Sequence, residues 1–248
     1  MGGLSSDRSN MRLYLLQLAL TGEHEQPVPG YLIQTDDGTN VVIDTGYAPE
    51  FIAMAQQPEF AGMAIHDVVP VTDHLAALGV APEDVQYLIA THFDPDHAGE
   101  HDAFPNAEII AQRAHYAAAK AGTDRRYAMT RSHWDAPGLH YRLIDGDWEL
   151  LPGIALIETS GHVPGHQSVL VRLKETGPVL LTIDAINHAG QRDPETRTVA
   201  GYDLDEPSTR ASTRKLRDIA AREGVQLIVY GHDRKQWPTL KKAPEFYE

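Results

Sequence analysis

Four short apolar runs in this chain stop abruptly at histidine or aspartate. Val85–Ala90 runs into Thr91-His92-Phe93-Asp94-Pro95-Asp96-His97-Ala98-Gly99, and Ala155–Ser160 ends at Gly161-His162. Val179–Ile183 ends at Asp184, and Leu227–Tyr230 ends at Gly231-His232. His92, Asp94, Asp96 and His97 fall within six residues. Carboxylates held that close repel one another unless something positive sits between them. The chain has no cysteine but 13 histidines, so a metal must be held by His, Asp or Glu. Zinc-like divalent ions take about four or five such ligands at roughly 2.0–2.2 Å. A pair of ions roughly 3.5–4 Å apart needs a bridging carboxylate as well. His92, Asp94, Asp96, His97, His162, Asp184 and His232 supply that number.

Ligands need a rigid scaffold, and strand ends provide one. The early chain reads as strands over Arg12–Leu18, Tyr31–Thr35 and Val41–Ile43, with Gly38 in a hairpin turn between the last two. A helix is predicted over Val71–Leu78, capped by Thr72 and closed by Gly79. Val85–Ala90 and Ala107–Ala111 read as strands, followed by a helix over Arg113–Ala121. Gly122 to Pro137 is polar and irregular, which suggests a lid. Strands return at Tyr141–Ile144, Trp148–Leu150, Ala155–Glu158, Val169–Leu173, Val179–Ile183 and Gln226–Tyr230, with a helix at Ser208–Glu223. Strands in runs, with helices between the runs, imply an α+β layered architecture. Residues 1–10 read as a disordered leader and 11–248 as one domain, since no Pro/Gly/Ser-rich linker divides the chain.

The ligand pattern resembles the metallo-β-lactamase superfamily. Its first motif, His-x-His-x-Asp-His, is matched by His92 to His97, and its later lone ligands by His162, Asp184 and His232 in order. Val41-Val42-Ile43-Asp44-Thr45-Gly46 resembles the family's early Asp-Thr-Gly turn. Three stretches are similar to the N-acyl-homoserine lactonase branch: Ile144–Asp147 with Leu151–Ile154, Ser160–Ser168, and Leu180–Ala185. The ending Tyr230-Gly231-His232-Asp233 also fits that branch. The resemblance implies an αββα sandwich with two metal ions at one edge. One ion would be held by His92, Asp94 and His162 and the other by Asp96, His97 and His232, with Asp184 bridging. Zinc leads, with manganese, iron or cobalt as alternatives. The implied reaction is opening of a lactone ring by a metal-bridging hydroxide, with Asp96 handling the proton and Asp184 also catalytic. Asp44 and His166 would support the ligands from behind.

The chain departs from the family pattern twice. Asp94 stands where the motif has histidine, which hardens that ligand and adds negative charge. Asn187, expected to contact substrate, stands where the lactonase branch has a tyrosine; Asn can donate a hydrogen bond but is no proton donor. Tyr127, His133, His188 and Tyr202 are candidate replacements. His101 and Asp102 read as a solvated helix face. Trp134 and Trp237 read as packing residues, with an acyl-chain groove the alternative for Trp134. The formal charge of −14 argues against nucleic acid and anionic membrane as partners. A cytoplasmic location, a small-molecule lactone as partner and a possible homodimer complete the expectations. The rivals are another ester, thioester, phosphotriester or β-lactam hydrolase on the same site, and a non-catalytic or redox scaffold.

Overall fold

The computed structural model describes residues 10–248 apart from residue 123. The leader expected over residues 1–10 lies outside the described residues except for its last position. Two sheets pack face to face. The first is made of β1 (Met11–Thr21), β2 (Gln26–Thr35), β3 (Asn40–Ile43), β4 (Tyr87–Ile89), β5 (Glu108–Gln112) and β6 (His140–Ile144), side by side in chain order. The second contains β7 (Trp148–Leu151), β8 (Ile154–Glu158), β9 (Gln167–Arg172), β10 (Pro178–Leu181) and β11 (Leu227–Val229), again in chain order across the sheet. β3 to β6 pair in parallel, as do β10 and β11. A parallel pair needs a crossover, and the crossovers carry the helices.

Alternation along β1 shows how the layers arise. Leu13 and Leu15 face the second sheet, where they meet Leu156, Val169 and Val171. Tyr14, Leu16 and Leu18 face the other way. There they are covered by α1 (Pro49–Ala55), α2 (Val71–Ala77) and α3 (Arg113–Ala121), with the short α4 (Arg125–Ala128) and α5 (Arg131–Trp134) alongside. Both faces of the strand are therefore buried, which explains why it reads as a near-continuous apolar run. On the far side, α6 (Glu206–Glu223) lays Leu216 and Ile219 against Ala155, Ile157, Leu170 and Leu180. Helix, sheet, sheet, helix is the layering that the resemblance implied.

Three local expectations differ from the structure. Thr72 does not cap α2; Pro70 occupies that position and no side chain caps it. The Gly122–Pro137 stretch is not an irregular flap, because it forms α4 and α5 and buries Tyr127 and Trp134. Trp134 has no exposed surface, stacks on Phe93 at 4.8 Å and donates from Nε1 to the Tyr127 carbonyl at 2.8 Å. It packs the core and lines no acyl groove. His101 is likewise no solvated face: it is fully buried, edge-on to Phe93. Asp102 is exposed as expected, and pairs with His133 at 2.7 Å.

Candidate metal centre

Each chemistry-bearing side chain follows the end of a strand. Asp44 follows β3, the His92–His97 loop follows β4, His162 follows β8, Asp184 follows β10 and His232 follows β11. All these ends lie along one edge shared by the two sheets. The chain bends sharply to achieve this. Asp44 and Ile183 both sit in the left-handed region, at φ 57° and 51°. For a β-branched isoleucine that conformation is strained, and such strain gathers where a side chain must be aimed. Gly231 lies so close behind that a Cβ would meet the Ile183 carbonyl oxygen at 2.5 Å. Any larger residue there would push the His232 and Asp184 turns apart.

The seven sequence candidates converge. His92, Asp94 and His162 offer ligand atoms within 4.8 Å of one another, and so do Asp96, His97 and His232. A third group, His92, His97 and Asp184, joins them. Asp184 lies between the clusters, and both of its oxygens come within 3.3 Å of His232 Nε2. Oδ2 lies 3.5 Å from His162 Nε2, whereas Oδ1 lies 3.4 Å from His97 Nε2 and 3.1 Å from His232 Nε2. Asp96 Oδ2 is 3.6 Å from His97 Nε2 and 3.7 Å from His232 Nε2. Asp94 Oδ2 is 3.0 Å from His162 Nε2 and 3.7 Å from His92 Nε2.

The far nitrogen of every histidine in the set is already engaged. His97 Nδ1 pairs with Asp44 Oδ2 at 2.8 Å, and His162 Nδ1 with Asp203 Oδ1 at 3.1 Å. His232 Nδ1 donates to the Pro27 carbonyl at 2.7 Å. Thr91 Oγ1 gives its one proton to Asp44 at 2.7 Å, so it accepts from His92 Nδ1 at 3.1 Å. All four Nε2 atoms therefore face the centre, and giving up their protons to a metal would leave the tautomer that ligation requires. His92 Nε2 and His97 Nε2 are buried without a hydrogen-bond partner among the described residues. Orphaned buried nitrogens are costly, and a cation between them removes the cost. The residues fit divalent metal.

Charge in the cluster is finely opposed. Burial and the neighbouring His97 push His92 down to about 3. At His162 burial opposes protonation, but hydrogen bonds to Asp203 and Asp94 outweigh it and raise the group to about 9. Asp184 stays ionised, because His232 and His97 overcome its burial. Metal binding must displace protons from such imidazoles, so it is coupled to pH.

His166 stands behind this set. Its Nε2 accepts the Asp184 backbone N–H at 3.2 Å, and its Nδ1 pairs with Thr159 Oγ1 at 2.8 Å. Burial holds it neutral. His115 was not singled out from the sequence. It takes the Phe93 N–H on Nε2 at 2.8 Å and gives its Nδ1 proton to the Pro164 carbonyl at 2.9 Å, which locks the His92 loop to the His162 loop. Asp203 and Arg126 were missed too, as neither lies in a motif. A cleft of about 310 Å3 opens above the cluster, walled by Asn187, His188 and Tyr202. Asn187 Nδ2 donates to Tyr202 Oη at 3.1 Å, leaving the phenol proton free to point at a ligand. Tyr127 and His133 do not reach this cleft: Tyr127 is buried beside His115, and His133 is committed to Glu50 and Asp102.

Two sheets closed by helices, with imidazoles and carboxylates gathered at their common edge, define a metal-dependent hydrolase. The chain belongs to the metallo-beta-lactamase superfamily, whose family model matches residues 25–232. It is similar to an N-acyl homoserine lactonase from Bacillus sp, 35% identical over 89% of this chain and 86% of that one. It is also similar to N-acyl homoserine lactonase AttM from Rhizobium radiobacter, 35% identical over 96% and 99% of the two chains. Among solved structures, an N-acyl homoserine lactone hydrolase with N-hexanoyl-L-homoserine at its catalytic metal centre superposes with a TM-score of 0.82. That pair is 29% identical and covers 97% of this chain and 100% of the other.

Proposed function

We propose that the protein opens the lactone ring of N-acyl-homoserine lactones, and so silences a bacterial signal, with two divalent ions held at the strand-end cluster. The observation that carries this is the place of Asp184 between two His/Asp clusters, within 3.5 Å of His162 on one side and His97 and His232 on the other, beneath a cleft walled by hydrogen-bonding side chains. His92, Asp94 and His162 would hold one ion and Asp96, His97 and His232 the other, with Asp184 placed to serve both. Zinc is the first choice; the carboxylate at position 94 also suits the harder manganese or iron. When bound, the pair supplies Lewis acidity and a water of lowered pKa. Tyr202, steadied by Asn187, donates from the cleft wall toward the substrate carbonyl. Asp96, the more exposed carboxylate beside His97 and His232, receives and returns the proton. Asp44 and His166 keep the ligands aimed.

Protein purified from metal-supplemented culture should hold close to two ions per chain by elemental analysis. Asp184→Asn should lower both metal content and kcat/KM, the latter by about 100-fold or more. Full rate in that variant would remove Asp184 from the reaction.

A further inference from the structure

Asp94 presents two different oxygens. Oδ2 faces the imidazoles of His162 and His92. Oδ1 faces away from them, 3.4 Å from Arg126 Nε on α4. The two side chains retain only 11% and 17% of their surface. Asp94 Oδ1 is buried without a hydrogen-bond partner among the described residues, and so is Nη1 of the same guanidinium. The guanidinium is fixed on its other side, where Nη2 donates to the Tyr202 carbonyl at 3.0 Å. The Arg126 backbone N–H is held by Asp124, the cap of α4, at 2.9 Å. Arginine stays charged at any ordinary pH. A cation is thus held beside a site that fits divalent metal, with Nε between the nearer Asp94 carboxylate at 3.4 Å and that of Asp124 at 3.9 Å.

We propose that Asp94 and Arg126 work as one ligand unit, with Arg126 a positioning residue. Arg126 takes up Oδ1, leaves Oδ2 as a single-atom donor toward the metal, and draws off part of the carboxylate charge. The ion then keeps Lewis acidity that a free carboxylate would dampen. A neutral imidazole at position 94 is incompatible with Arg126, because the guanidinium would face a dication with nothing between them. This rests on the reading of Asp94 as a metal ligand.

The test is a cycle of four chains: the natural protein, Asp94→His, Arg126→Gln and the double variant. Zinc affinity is measured by competition with a chromophoric chelator, and ions per chain by elemental analysis after dialysis. Asp94→His alone should weaken one zinc about 10- to 100-fold. Adding Arg126→Gln should restore most of that loss. If the double variant shows only the product of the two single effects, the pairing is wrong. Asp94→Asn separates the underlying reading: unchanged zinc content in both Asp94→Asn and Asp94→His removes Asp94 from the ligand set altogether. Should Arg126→Gln not fold, Arg126→Met completes the same cycle, with circular dichroism confirming the fold of each chain.

Discussion

Asp44 shows how much of the site is decided by residues that never meet a substrate. Its two oxygens accept from Thr91 N, Thr91 Oγ1 and His97 Nδ1, so one carboxylate sets the tautomer of His97 directly and that of His92 through Thr91. Asp44→Asn keeps the shape and loses the charge. Zinc affinity should fall about 10- to 100-fold with little change in folded content, measured by chelator competition. Asp44 was legible because the Asp-Thr-Gly turn follows an apolar run. Asp203 does the same service for His162 and was not legible, as nothing in Tyr202-Asp203-Leu204-Asp205 marks one aspartate over the other. His115 was equally silent, because its partners are backbone groups of two distant loops. Sequence pattern exposes residues that cluster along the chain and hides those that meet only in space.

At the level of elements, the strand ends carry the candidate ligands and the α4–α5 segment packs against the first of their loops through Trp134 and Arg126. The strands ahead of the candidate ligands could be read because they are largely buried, so their apolar runs broke where the polar cluster began. The α4–α5 segment could not, since four-residue helices leave no periodicity and their polar residues resemble a loop. Its order comes from Trp134, wedged on Phe93 within the first metal-binding motif. Trp134→Ala should cost about 3–5 kcal/mol in urea unfolding and should lower kcat as well, since the Phe93 loop loses its support. His133 ties α5 to Glu50 and Asp102. Burial pulls its pKa down, but hydrogen bonds to Asp102 and Glu50 outweigh that and leave it raised above 6.5. A group raised on folding stabilises fully below its unfolded value and loses that contribution as pH climbs through the folded one. The melting temperature should therefore decline as pH rises from about 6.5. In His133→Gln that step should be missing; an identical decline would place its origin elsewhere.

Across the whole molecule, two sheets twice covered by helices hold seven candidate ligand side chains at one edge, drawn from loops as far apart in the chain as His92 and His232. The layering was readable from runs of strands and helices, whereas the sheet order and the shared edge follow from the resemblance and not from any local pattern. No helix among the described residues is long and apolar enough to cross a membrane. Part of the acidic excess has a local cause, because Asp94, Asp96 and Asp184 face a site that divalent cations fit. The most direct measurement is proton release on ring opening by the metal-loaded protein, across N-acyl-homoserine lactones of varied chain length and lactones without the homoserine ring. Saturable turnover of the acyl-homoserine lactones, abolished by chelation and recovered on adding metal back, is the predicted result. A folded protein carrying two ions that opens none of these rings would contradict it.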